Sequence, residues 1–144
     1  MTWSVRYIAL EHLSLAWPVA APLLAPAVEL SEGRYDLASV YEKLAQKFAL
    51  LWLIDDDKDE TVAAFISRIA VYPRKRMLCI EFLGGDRMEE WVETTDHVLT
   101  AYARDAGLEG LEMSGRAGWT RPLGALGWRQ SAVSLVKPLP SEGD

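Results

Sequence analysis

The chain has 144 residues, half of them hydrophobic and a quarter charged, which is the balance of one folded domain with a single core and not of a disordered segment. Its net charge of −6 and pI near 4.9 exclude the clustered positive surface that nucleic-acid binding needs, so no nucleic-acid partner is expected. A single cysteine, Cys79, excludes an internal disulfide and argues against a cysteine-based metal site.

In chain order, residues 3–10 alternate well enough for a first strand. Leu13 to Val28 is uncharged for sixteen residues, a length between a core helix and a membrane span. Ala25-Pro-Ala27 mimics a cleavage site, but Glu11, the lone Arg6, and Pro18, Pro22 and Pro26 argue against an export signal or a span. No membrane association is expected. The prolines recur every four residues, so they share one face of a kinked helix and leave Trp17, Leu24 and Val28 to pack. Asp36 then caps a short helix through Lys47, with Leu37, Val40, Tyr41 and Leu44 inward. Residues 48–54 are too short and too continuously apolar for a surface helix and read as a buried strand.

Asp55 to Glu60 holds five acids in six positions. It lacks the central glycine and the twelfth-position glutamate of a calcium loop, so a solvated turn is expected. Thr61 to Tyr72 alternates and ends at Pro73. Arg74-Lys75-Arg76, the one dense basic run, then falls at a hairpin tip.

The next stretch organises the chain. Residues 77–83 read as a strand apolar on both faces, which places it inside a sheet and makes Cys79 a packed thiol. Gly84 and Gly85 end it. Asp86 and Glu89 have the spacing of a capping box, and Met88, Trp91, Val92, Thr95, Val98, Leu99, Tyr102 and Ala106 form one apolar stripe closing at Gly107. A helix over residues 86–106 is therefore expected across the sheet. A strand passing through glycines into a helix N-terminus can receive an anion, but Asp86 would compete for that position.

Residues 108–114 read as a further strand. Thr120 to Leu126 reads as a short helix with Pro122 in its first turn and Gly127 after it, and residues 130–136 as a last strand. The expected architecture is α/β: one domain over residues 1–137, with a central mixed sheet of about six strands flanked by helices, and a loose tail over 138–144.

This order resembles the GCN5-related N-acetyltransferase (GNAT) fold over nearly the whole chain. Leu51-Trp52-Leu53, Leu83-Gly84-Gly85, Trp91, and Gly115-Arg116-x-Gly118-Trp119-x-Arg121-x-Leu123 with Gly127-Trp128 resemble, more closely, the small GNAT-like proteins of tailed phages, including the internal virion protein A group. That resemblance implies a protein partner among phage structural or assembly proteins, and a place in the host cytoplasm during assembly or in the virion. It also implies that acetyl-CoA, if the chain is active, lies against Phe82, Leu83, Gly84, Gly85, Asp86 and Arg87.

The chain departs from the family where activity is decided. The family's phosphate loop reads Gln or Arg, two residues, Gly, one residue, Gly or Ala. The best match here, Glu81-Phe-Leu-Gly84-Gly85-Asp86, has acids at both outer positions. No tyrosine follows Tyr102 to serve as the family's general acid. Glu81 and Glu112, on neighbouring strands, are the candidate general bases, with a paired structural role as the alternative. His12 and His97 fall on unrelated helix surfaces, and no Ser/His/Asp arrangement is readable. The expectation is a catalytically degenerate interaction module with no cofactor, the alternative being an acetyl-CoA-dependent N-acetyltransferase. Six tryptophans exceed what one core easily hides, so Trp119 with Arg116 and Arg121 forms the expected interface set.

Overall fold

In the computed structural model, which describes residues 2–115 and 119–141, five strands form one sheet in the order β1-β2-β3-β4-β5. The strands are β1 (Ser4–Tyr7), β2 (Leu50–Asp55), β3 (Thr61–Val71), β4 (Arg76–Gly85) and β5 (Gly110–Met113). Neighbours are antiparallel except β4 and β5, which run parallel and are joined through α3 (Met88–Asp105). A parallel pair needs such a crossover, and the apolar stripe of α3 supplies it by burying Trp91, Thr95, Leu99 and Ala103.

The opposite face is covered by α1 (Leu13–Glu29), after a 3₁₀ turn at Leu10–His12, and by α2 (Leu37–Ala45). The three prolines of α1 all face solvent, where their missing N–H groups cost least, while Leu13, Ala20, Leu24 and Val28 are buried. No helix among the described residues is long and apolar enough to cross a membrane. The Asp36 side chain accepts from the Ser39 N–H at 2.8 Å, and the Asp36 N–H donates to the Ser39 hydroxyl at 3.0 Å, closing a capping box. The expected extension to Lys47 does not form.

Two cores result. One, between the sheet and α1/α2, contains Leu24, Val40, Leu51, Leu53 and Ile66; the other, under α3, contains Trp52, Ile54, Phe65, Leu78, Ile80 and Trp91. The alternation of β3 and β4 divides their residues between them.

Three expectations are corrected. Among the described residues no sixth strand forms: residues 129–141 adopt no strand, and α4 (Thr120–Gly124) is the last element. Asp86 does not cap α3; Arg87, in a left-handed conformation at φ 61°, takes the N-cap position, and no side chain caps the helix. The acidic turn is only partly solvated, because Asp55 and Asp56 are buried. Asp55 accepts from Arg6 Nε at 2.9 Å and Thr61 Oγ1 at 2.6 Å, and Asp56 accepts from the Lys58 and Glu60 N–H groups. Buried carboxylates persist when paired in this way. No metal-binding group of acids, His or Cys exists among the described residues.

Candidate functional site

The site is built on β4 and its two neighbours. Register pairs Ile66 with Glu81 and Ala64 with Gly84, so Phe82 and Leu83 together oppose Phe65 in a β-bulge, with Phe82 at φ 53°. A bulge interrupts the ladder and re-aims side chains, and bulges concentrate beside functional sites. Here Phe82 turns toward the α1/α2 side, where its ring packs edge-on against Tyr35 at 5.3 Å, and Leu83 joins the core under α3.

Below the bulge, the same side of the sheet carries a polar cluster. Arg68 lies opposite Cys79 on β4, and Cys79 lies opposite Glu112 on β5. Arg68 Nε donates to Glu81, and the Tyr72 hydroxyl donates to Glu112 at 2.5 Å. Glu81 and Glu112 are thus gathered on one face, each with a partner. Burial is the largest single influence and works against the Arg68 charge, but the bond to Glu81 together with the surrounding negative groups outweighs it and raises the guanidinium pKa. The bond to Glu112 raises that of the Tyr72 hydroxyl, which remains a proton donor at neutral pH. Burial pushes the Cys79 thiol up to about 11, against the pull of Arg68, so it is a packed thiol and not a nucleophile at neutral pH. One guanidinium against two carboxylates leaves this face negative, and it suits a cation better than an anion.

Arg68 and Tyr72 are the residues that sequence reasoning missed. A signal existed: residues 66, 68, 70 and 72 share one face of an alternating strand, and two of them are polar in an otherwise apolar run.

The junction above the bulge is crowded. A Cβ on Gly84 would stand 2.0 Å from the Leu23 carbonyl oxygen of α1, and one on Gly85, at φ 137°, would stand 2.4 Å from the Val62 oxygen. These glycines admit the chain's own backbone. The Asp86 N–H donates to Val62 O at 3.0 Å, and Asp86 O accepts from Trp91 Nε1 at 2.7 Å. Arg87 bonds Glu90 at 2.7 Å, approaches Asp56 at 3.6 Å and lies 4.8 Å above the Trp3 ring. The bond to Arg87 lowers the Glu90 pKa; at Asp56 the backbone donors of Glu60 and Lys58 do so first, with Arg87 adding to them.

The expected interface set is placed in part. Trp119 is half-buried beside Gly115, Arg121 is exposed on α4, and Arg116 lies outside the described residues. Of the six tryptophans, Trp52 and Trp91 are buried and the other four half-buried. His12 and His97 are exposed and far apart in the fold's element order, as expected.

No family model and no curated protein matches the chain. Solved structures do. A tetramutant of the BH1408 protein from Bacillus halodurans superposes with a TM-score of 0.71 at 12% identity, covering 94% of this chain and 99% of that one. A predicted acetyltransferase from Clostridium acetobutylicum, solved with acetyl-CoA, gives 0.64 at 12% identity over 95% and 96% of the two chains. A GCN5-related N-acetyltransferase from Ralstonia eutropha gives 0.64 at 14% identity over 96% and 99%. The chain has the GNAT fold. The residues that the sequence resemblance names for acetyl-CoA, Phe82 to Arg87, are those of the bulge and the junction described above, with Glu81 directly before them.

Proposed function

We propose that this chain uses the GNAT fold as a protein-binding module and not as a turnover enzyme, in the manner of the small tailed-phage proteins that its sequence resembles. A phage assembly or virion role follows from that resemblance. The carrying observation is the filled junction: Leu23 and Val62 occupy the space beside Gly84 and Gly85, and Arg87 is engaged by Glu90 and Asp56. On the resemblance, a pyrophosphate would have to lie against Asp86 and this engaged Arg87. A carboxylate at contact distance from a phosphate costs on the order of 1–4 kcal/mol at surface-like dielectric. The Arg68–Glu81 and Tyr72–Glu112 pairs support the same reading, since a base already bonded to a donor is less free to take a proton. Trp119 and Arg121, with Arg116, are the proposed anchors toward an acidic partner surface. Isothermal titration with acetyl-CoA at ordinary salt is expected to show no binding in the micromolar range; micromolar binding overturns the reading.

One observation favours a second reading, an acetyl-CoA-dependent N-acetyltransferase. The β4 bulge breaks the ladder beside a half-buried carboxylate, so the backbone of Phe82 and Leu83 could receive an acyl carbonyl with Glu81 as base for an amine. Under it, acetyl-CoA binds and Glu81→Gln abolishes acetylation of amines without weakening that binding.

A further inference from the structure

At one end of the sheet β3 and β4 run on past their neighbour. Register pairs β3 with β4 as far as Val71 and Arg76, but β2 accompanies β3 only as far as Leu50 opposite Ser67. The chain before Leu50 turns back into α2 instead, where the Phe48 N–H donates to Lys43 O at 3.0 Å. The last residues of β3 therefore have a strand on one side only. Tyr72 N–H donates to Lys75 O at 2.7 Å, which makes these two a bonded pair, and in an antiparallel ladder bonded and non-bonded pairs alternate. Ile69 and Val71 fall at non-bonded positions, so their N–H and C=O groups turn away from β4. Arg76, opposite Val71, follows the same rule on its own side: its carbonyl turns away from β3 and accepts from the Glu109 N–H at 2.9 Å. No strand meets Ile69 and Val71 on their outer side among the described residues.

The side chains along this edge are apolar and its end is basic. Ile69 and Val71 lie on the α3 side of β3 by alternation with Phe65, yet they are 45% and 72% exposed. The turn that follows, Pro73 to Lys75, is exposed throughout, and Arg74 and Lys75 have no ion pair among the described residues. Arg76 reaches the other way, its guanidinium 3.4 Å from the Ala106 and Gly107 carbonyl oxygens. Two unpaired cations thus stand at the end of an open strand edge in a chain whose net charge is −6. Cations on an edge keep strands from pairing there at random, so a strand that does pair must answer them with charge.

We propose that the outer edge of β3 at Ile69 and Val71 is a docking site for an extended acidic segment of a protein partner, added antiparallel as a short strand in line with β2. The two outward residues offer two N–H and two C=O groups, the main-chain recognition by which a sheet takes up a peptide. Antiparallel addition runs the segment away from the turn. Its acidic residues therefore come first, beside Arg74 and Lys75, and its apolar residues follow, beside Ile69 and Val71. Charge assigns the occupant: residues 61–76 carry Arg68, Arg74, Lys75 and Arg76 and no acid, so this edge repels a copy of itself and attracts carboxylates. The edge lies at the opposite end of β4 from the junction at residues 84–87, and the inference is independent of whether acetyl-CoA binds.

The test titrates the full chain with the end-capped peptide Asp-Glu-Asp-Val-Thr-Val-Thr, read by calorimetry and by residue-resolved amide exchange. Binding should slow exchange at least tenfold at the amides of Ile69 and Val71, which are fast in the free protein, while those of Arg68 and Ala70 are slow in both. The double variant Arg74→Glu, Lys75→Glu should bind at least tenfold more weakly. So should Val71→Pro, which removes an N–H that the ladder does not use; both should keep the native circular dichroism. N-methylating the last four residues of the peptide should abolish binding. No binding at millimolar peptide overturns the proposal, as does equal binding by the charge-reversed variant. Binding that survives N-methylation, or leaves Ile69 and Val71 unprotected, would be charge attraction alone and overturns it too. Protection of both amides in the free protein, with a sedimentation mass twice 16.1 kDa, would give the edge to a second copy and overturn the assignment to an acidic partner.

Discussion

The two faces of β3 and β4 differ more than any other two regions of the molecule. Toward α3, Trp52 stacks on Phe65 at 5.6 Å, meets the half-buried Tyr102 edge-on at 5.2 Å and donates Nε1–H to Ser67 Oγ at 2.8 Å, with Trp52, Phe65 and Ser67 all buried. Toward the other side, β3 and β4 present Arg68, Tyr72 and Glu81, and β5 adds Glu112, in two polar pairs. Period-two geometry lets one backbone hold a packing surface and a chemical surface back to back. The difference teaches that stability and site chemistry can be perturbed separately, provided the substitution respects the face.

The sharpest way to break the comparison is on the packed face. Trp52→Ala removes the ring around which the α3 core is built and is expected to cost about 3–5 kcal/mol, the range of buried Trp and Phe truncations. Denaturant unfolding measures it. A loss no larger than that of a surface substitution would mean the two faces are not energetically distinct.

Next is the seam between the faces. Gly84→Ala sets a methyl 2.0 Å from the Leu23 oxygen, backbone that cannot swing away as a side chain would. The expected cost is about 1–3 kcal/mol by overpacking, read as a lower melting temperature. Unchanged stability would show that α1 and β4 are free to separate and that the junction is open to a ligand after all.

Much of this was legible in the sequence, and the exceptions share a cause. The helix of residues 13–28, the cap at Asp36 and the strand–glycine–helix passage at 77–91 each announce themselves through local periodicity or capping chemistry. Asp86 as N-cap was misread because capping boxes are recognised by spacing, whereas a left-handed Arg87 held by Glu90 and Asp56 depends on a turn thirty residues earlier. The Arg68–Glu81 and Tyr72–Glu112 pairs were invisible for a related reason: each needs strand register, which one sequence does not print. Residues 130–136 carry a strand pattern that the sheet does not use, and periodicity reports only the capacity to pair, not the partner.

A smaller effect is expected at Cys79, on the open face yet buried. Its folded thiol pKa of about 11 stands above the ordinary value of 9.0, so folding favours the protonated form. The stability this contributes is complete below pH 9 and is lost as pH rises toward 11, because the unfolded chain ionises first. Stability curves for the wild type and Cys79→Ala should therefore converge across that window. Native protein at pH 8 should resist alkylation that proceeds readily in denaturant; rapid native labelling would place the thiol in solvent.

The smallest effect is expected where the chemistry looks richest. Arg68 is partly exposed, and its bond to Glu81 exchanges solvated charges for one directional contact, so screening and side-chain ordering consume most of the Coulomb gain. Glu81→Gln keeps the size and one acceptor while removing the charge. Its expected cost is about 1 kcal/mol or less, falling further as salt is raised, because what remains of the attraction is screened. Measured beside Trp52→Ala in the same denaturant series, the two substitutions calibrate the faces against each other. A loss from Glu81→Gln of several kcal/mol, insensitive to salt, would mean that the pair is sealed from water and belongs energetically to the core under α1 and α2.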